Sequence, residues 1–62
     1  MIEIKRNPSF PGWFDVILKG QLMDEVRGRM KALRIAKSIA HKEDIDYIIF
    51  DGKSIAVKQP AF

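Results

Sequence analysis

Hydrophobic and polar residues alternate at the start of the chain with the two-residue period of a β-strand. This pattern predicts a first strand over residues 2–6, which Asn7-Pro8 ends. A loop containing two prolines and a glycine follows, and residues 13–19 form a second predicted strand because they are rich in aromatic and β-branched side chains. The alternation then places two sets on opposite faces of that strand: Phe14, Val16 and Leu18 on one, Trp13, Asp15 and Ile17 on the other.

Residues 21–28 allow two interpretations. Apolar residues at helical spacing would extend the next helix back to Leu22, with Gly28 inside it at a cost of about 1 kcal/mol relative to alanine. Alternatively, Lys19-Gly20-Gln21 is a hairpin turn and the chain returns as a third strand that Gly28 ends. We favour the strand, because a short chain of this composition usually completes a meander before its helix.

A helix is predicted from Arg29 to about Lys42. At about 100° per residue, its apolar residues fall on one side and its charged residues on the other. Small residues at positions 32, 36 and 40 form a row that lets the helix axis approach a sheet closely. Glu43-Asp44 then ends the helix, since acidic groups are unfavourable at a helix C-terminus.

Two further strands complete the predicted fold. Residues 47–50 are almost continuously apolar, Asp51-Gly52 is a strong hairpin signal, and residues 54–58 alternate again. The order is strand, strand, strand, helix, strand, strand, which predicts an α+β domain: an antiparallel sheet of about four to five strands with one helix packed across one face. Residues 59–62 form a tail.

Composition limits the class of protein. With 62 residues, 47% hydrophobic and 31% charged, the chain is expected to fold as a single domain over residues 1–62. The absence of cysteine excludes disulfides and thiolate metal sites. No apolar run approaches the length of about 18 residues needed to cross a bilayer, so we expect a cytoplasmic protein that makes no membrane contact.

Positive charge is concentrated in one segment. Residues 27–42 contain no acidic residue, so their six lysines and arginines carry +6, against +3 for the whole chain and hence −3 elsewhere. Helices that serve only solubility usually mix charges of both signs, because like charges at i, i+4 spacing repel. The alternative interpretation is an ordinary solvated face. The candidate binding residues are Arg27, Arg29, Lys31, Arg34, Lys37, His41 and Lys42.

Aromatic residues near the proline-containing loop give a second candidate feature. Phe14 is expected in the core. An exposed Trp13 or Phe10 would be able to stack on a nucleic-acid base or anchor a protein partner. We include Trp13 among the candidate binding residues.

The residues offer little for catalysis or metal binding. There is one histidine and no cysteine, and the acidic residues are scattered. Ser38 lies three residues before His41, which is adjacent on a helix, but two exposed polar residues are the commoner explanation. The glycines are isolated, so no phosphate-binding loop is present. We expect no catalytic residue, no metal, no cofactor and no small-molecule substrate.

A series of short segments extends over about residues 12–55: Gly12-Trp13 through Val16, Met30-Lys31-Ala32, Ile35-Ala36, Ile39-Ala40, Ile48-Ile49 and Asp51-Gly52-Lys53. This series resembles a small prokaryotic and phage family of unknown function, which has a Trp-containing strand, one helix and a closing hairpin. The resemblance implies the strand–helix–hairpin order. It brings no established activity.

These features together predict a non-enzymatic protein that contacts nucleic-acid phosphates through the basic helix, without reading base sequence. The alternative is an inhibitor or adaptor, such as one encoded by a phage, that binds an acidic surface of one host protein. A sheet covered on one face also leaves its other face available for a homodimer, with Trp13, Ile17 and Phe62 as the residues to bury.

Overall fold

The computed structural model describes residues 1–57 and contains the predicted series of elements. These are β1 Ile2–Arg6, β2 Trp13–Leu18, β3 Gln21–Arg27, α1 Arg29–Lys42, β4 Tyr47–Phe50 and β5 Lys53–Ala56. The α+β class is confirmed, and residues 21–27 form the strand that we favoured over a helical extension. The predicted tail, residues 59–62, lies outside the described residues.

The five strands form one sheet in the order β3-β2-β1-β4-β5. Three neighbouring pairs are antiparallel, but β1 and β4 are parallel, so the sheet is mixed and the expectation of a purely antiparallel sheet needs this correction. The reason is the 14-residue helix between β3 and β4. Because α1 crosses one face of the sheet, β4 enters in the same direction as β3, which is also the direction of β1.

The core lies between α1 and one face of the sheet. Ala32, Ala36 and Ala40 are completely buried, as the small-residue row predicts. They face apolar side chains from four strands: Ile2, Ile4, Phe14, Val16, Val26, Ile48 and Phe50. Phe14 is buried as expected, with its ring centroid 5.6 Å from that of Phe50. Close approach of the helix backbone therefore makes a continuous core in a chain of only 62 residues.

Both predicted hairpin turns are present, and both use two residues with positive φ. Lys19 and Gly20 join β2 to β3 with φ of 51° and 80°, and Asp51 and Gly52 join β4 to β5 with φ of 50° and 86°. Positive φ at both central residues is the type I′ arrangement, whose twist matches that of the flanking strands. These turns fix the register of the two edge strands.

A β-bulge in β3 changes which side chains face solvent. Val16 lies opposite Asp24, but the next residue, Ile17, lies opposite Leu22, so Met23 is the extra residue. The insertion moves Leu22 from the core side to the uncovered face of the sheet. Leu22 is consequently 53% exposed, although its spacing from Val26 would have placed it in the core.

The C-terminal end of α1 is closed by backbone hydrogen bonds. The amide of Ile45 donates to the carbonyl of Ala40, and Asp44, in the connection between α1 and β4, has a φ of 56°. This is the Schellman arrangement, in which glycine is the usual residue at the left-handed position.

Among residues 1–57, no helix is both long enough and apolar enough to span a membrane.

Candidate nucleic-acid or partner interface

Five of the predicted binding residues share the outward surface of α1. The buried alanines fix the rotation of the helix, so the side chains on its far side must face solvent. All five are exposed, and we call them the basic helix surface: Lys31, Arg34, Lys37, His41 and Lys42. No acidic residue lies within α1. The structure thus gathers these five predicted residues on one surface.

The lysines and arginine of this surface lack carboxylate partners in the described part of the chain. The ion pairs formed by residues 1–57 join Lys5 to Glu3 at 3.9 Å and Arg6 to Asp51 at 3.1 Å, and neither pair includes a residue of α1. Four cationic side chains therefore lie on the same exposed surface and form no ion pair with a carboxylate of residues 1–57: Lys31, Arg34, Lys37 and Lys42. Their mutual repulsion would be relieved by an anionic partner.

Arg29 takes a different position from these cations. It is the first residue of α1 and lies three residues before Ala32, on the side of the helix that faces the sheet. Its guanidinium lies over the Phe50 ring, with Cζ 5.2 Å from the ring centroid. Arg29 is therefore partly committed to packing at the end of the core.

Arg27 and Trp13 lie on the sheet face opposite α1. They are partners in the β2–β3 register, next to the buried pair Phe14 and Val26. Because side chains alternate along a strand, both must point away from the helix. The prediction that groups Arg27 with the basic residues of the helix is corrected in this respect, because Arg27 lies on the uncovered face of the sheet.

A cleft of about 440 Å³ lies at the end of the sheet where α1 begins. Its walls include Trp13 and Arg29, together with Arg6 from the end of β1. The structure thus brings two of the predicted residues, Trp13 and Arg29, to one cleft at the N-terminal end of the helix.

The outward surface of α1 also has an apolar depression of about 200 Å³ between its cations. Met30 and Leu33 line it with Arg34 and Lys37, and Met30 is 74% exposed. An exposed methionine beside positive charge is more typical of a protein-binding surface than of a phosphate-binding one.

A further polar cluster surrounds Asn7, and the sequence interpretation did not include it. The Asn7 side-chain amide donates to Asp15 Oδ1 at 2.9 Å and to Glu25 Oε2 at 3.1 Å. Its carbonyl oxygen accepts hydrogen bonds from the backbone amides of Ser9 and Phe10 at 2.9 and 3.1 Å. Asn-Pro-Ser is a recognisable signal for the local turn, but the partners on β2 and β3 come from pairing between strands.

The chain matches no family model, no curated protein and no solved structure. The resemblance over residues 12–55 therefore remains a prediction. Within residues 1–57, no three histidine, aspartate or glutamate side chains are grouped closely enough to hold a metal ion.

Proposed function

We propose that this chain is a small non-enzymatic protein that binds the phosphate backbone of nucleic acid through the basic helix surface. One observation supports the proposal most directly: Lys31, Arg34, Lys37 and Lys42 are exposed together on α1 and form no ion pair with residues 1–57. Binding a polyanion would neutralise several of these charges at once and release condensed counterions. Nothing in this surface selects a base sequence.

The dimensions of the surface suit a short stretch of backbone. At 1.5 Å rise per residue, the distance along the helix axis from Lys31 to Lys42 is about 16 Å. That length corresponds to about five phosphates of one strand at 3.4 Å each. Arg29 and Trp13 lie at the cleft beyond the N-terminal end of α1. A strand following the helix in that direction would meet Arg29, whereas the ring of Trp13 points to the opposite face of the sheet.

The test is an anisotropy titration with a labelled oligonucleotide about 20 nucleotides long, several times the span of the surface. It is run with single-stranded and double-stranded DNA and RNA at low salt. Replacing Arg34 and Lys37 together by glutamate is expected to lower the affinity about tenfold or more, because two phosphate contacts become repulsive. Circular dichroism of the same variant checks that the helix is retained.

A matched control reverses the same number of charges elsewhere. Lys19 and Lys53 are exposed, lie outside α1 and form no ion pair with residues 1–57. The Lys19→Glu, Lys53→Glu variant has the same net charge as the helix variant. It should retain most of the affinity. Equal losses in both variants would mean that net charge alone attracts the nucleic acid, which would reject a defined surface on α1.

The second candidate is an adaptor or inhibitor that binds an acidic surface of one protein. The apolar depression at Met30 and Leu33 favours it, since an exposed methionine side chain does not contribute to phosphate binding. Under this alternative Met30→Ser would abolish capture of the partner. Under the nucleic-acid proposal it would leave the anisotropy titration unchanged.

A pull-down from nuclease-treated extract separates the two candidates. A stoichiometric protein band that survives nuclease and disappears with Met30→Ser would favour the adaptor. Nuclease-sensitive recovery with a normal titration for Met30→Ser would favour nucleic acid. The expected homodimer through the uncovered sheet face remains a prediction: Trp13 and Ile17 lie on that face, and Phe62 is outside the described residues.

A further inference from the structure

The uncovered face of the sheet carries a notch that is unrelated to the basic helix surface. Phe10, Trp13 and Glu25 line a volume of about 220 Å³. The two aromatic rings are 6.5 Å apart between centroids and inclined at 57°. Phe10 is 60% exposed and Trp13 is 38% exposed, so both rings present surface to solvent. Aromatic faces beside a carboxylate are a combination that attracts a cation.

The notch is held in shape by Asn7. Through its amide nitrogen it is bonded to Glu25 and Asp15, and through its oxygen it holds the backbone of the loop that carries Phe10. Each carboxylate uses only one oxygen for Asn7. The other oxygen of each accepts no hydrogen bond from residues 1–57. Glu25, which lines the notch, therefore keeps one acceptor oxygen free, and Asp15 is its partner in the β2–β3 register, on a framework that is already ordered.

We propose that this notch binds the guanidinium of an arginine side chain presented by a peptide. A planar guanidinium stacks on Trp13 while its forked N–H groups reach the free Glu25 oxygen, and the neighbouring Asp15 carboxylate adds negative charge on the same face. An alkylated ammonium would gain the aromatic contact but has no comparable set of donors. Arg27, the strand partner of Trp13, lies on the same face. Its positive charge opposes a second cation, so the two carboxylates have to outweigh it.

Charge separates this site from the proposed nucleic-acid surface. The notch is lined by the Glu25 carboxylate and lies on the far side of the sheet from α1, whereas α1 contains no acidic residue. One molecule would therefore offer a basic surface and an arginine-accepting site on opposite faces. This inference does not depend on the proposed nucleic-acid binding.

Trp13 supplies the measurement, because it is the only tryptophan in the chain. The intact protein is titrated with acetyl-Gly-Arg-Gly-amide at low, constant ionic strength, and Trp13 fluorescence is followed. The matched peptide contains citrulline, which has the same shape without the charge. A saturable change in the millimolar range with arginine, and none with citrulline, is expected. Equal responses, or no saturable response to the arginine peptide, would overturn the proposal.

Two single substitutions locate the site. Glu25→Gln removes the charge inside the notch and should weaken the arginine peptide roughly threefold or more. Asp24→Asn removes the same charge one residue away, on the opposite side of β3, and should change the binding much less. If the two variants behave alike, the notch is not the binding site. The Arg34→Glu, Lys37→Glu variant should bind the arginine peptide normally, so loss of either function is recognised separately.

Discussion

The guanidinium of Arg29 lies over the ring of Phe50, with Cζ 5.2 Å from the ring centroid, and this contact closes the core at the N-terminal end of α1. It distinguishes Arg29 from the other cations of the helix. Phe50 is only 6% exposed, so the guanidinium lies over a ring that is almost completely buried. A residue predicted from charge alone as a phosphate ligand thus also has a structural role.

Replacing Arg29 by glutamine should lower the free energy of unfolding by about 0.5–1 kcal/mol, because the cation–π contact with Phe50 is lost. Urea unfolding followed by Trp13 fluorescence measures the change. Arg34→Gln is the matched control. It removes the same type of side chain from a position without a ring contact and should have little effect. Similar destabilisation by both substitutions would show that helix propensity, not Phe50, is responsible.

The salt dependence of nucleic-acid binding should report the number of phosphates bound. Each phosphate neutralised on a single strand contributes a slope of about −0.7 to a plot of log association constant against log salt. Contacts from Lys31, Arg34, Lys37 and Lys42 together would give about −3. Lys42→Gln should reduce the magnitude by about 0.7, whereas Lys53→Gln should leave it unchanged. A slope near zero for the unmodified chain would contradict backbone binding.

The alanine row sets the distance between helix and sheet. Ala36 is completely buried, and leucine at this position would force α1 away from Val16 and its neighbours. Ala36→Leu should therefore cost about 1–3 kcal/mol of stability, measured by urea unfolding. Ser38→Leu adds a larger side chain on the exposed side and should change stability by no more than about 0.5 kcal/mol. Equal tolerance at both positions would argue against close helix packing.

The end of α1 offers a stabilising substitution. Asp44 has a φ of 56°, where a side chain is strained and a negative charge faces the negative end of the helix dipole. Asp44→Gly should raise the free energy of unfolding by about 1 kcal/mol. Asp46→Gly is the control, because Asp46 does not have a positive φ and glycine there only adds chain entropy. Destabilisation by Asp44→Gly would refute the Schellman assignment.

Asn7 connects the loop with β2 and β3, so its replacement should lower both the stability of the protein and its affinity for the arginine peptide. Asn7→Ala would leave the amides of Ser9 and Phe10 and the two carboxylates without this partner. We expect a loss of about 1–2 kcal/mol in unfolding free energy and weaker binding of the arginine peptide. Ser9→Ala keeps the backbone amide and serves as the control for the loop. Unchanged peptide binding in Asn7→Ala would mean that the notch needs no such support.

Much of the fold was predictable because the signals are local. The strand alternation around Val16, the positive-φ hairpin at Asp51-Gly52 and the spacing of Ala32, Ala36 and Ala40 each depend on a few neighbouring residues. Steric preference and the separation of apolar from polar positions decide them before any long-range contact forms. The same holds for the five exposed positions of the basic helix surface, because the helix periodicity determines which residues lie opposite its buried row.

Other features depended on how strands meet. A single-residue bulge at Met23 moved Leu22 to the open face, and strand alternation placed Arg27 on the side opposite α1. Neither register follows from the residues of β3 alone, since pairing is decided jointly by two strands. The cluster of Asn7, Asp15 and Glu25 likewise joins a loop to residues that are distant along the chain.

The sequence by itself determined the elements, their order and the positive outer surface of the helix, because local stereochemistry and periodicity act within a few residues of one another. Only the tertiary structure decided that β1 and β4 are parallel and that an aromatic notch lined by the Glu25 carboxylate forms on the uncovered face of the sheet. The crossover of α1 and the pairing of non-adjacent strands are set by the burial of one common apolar face. That condition involves the whole chain at once.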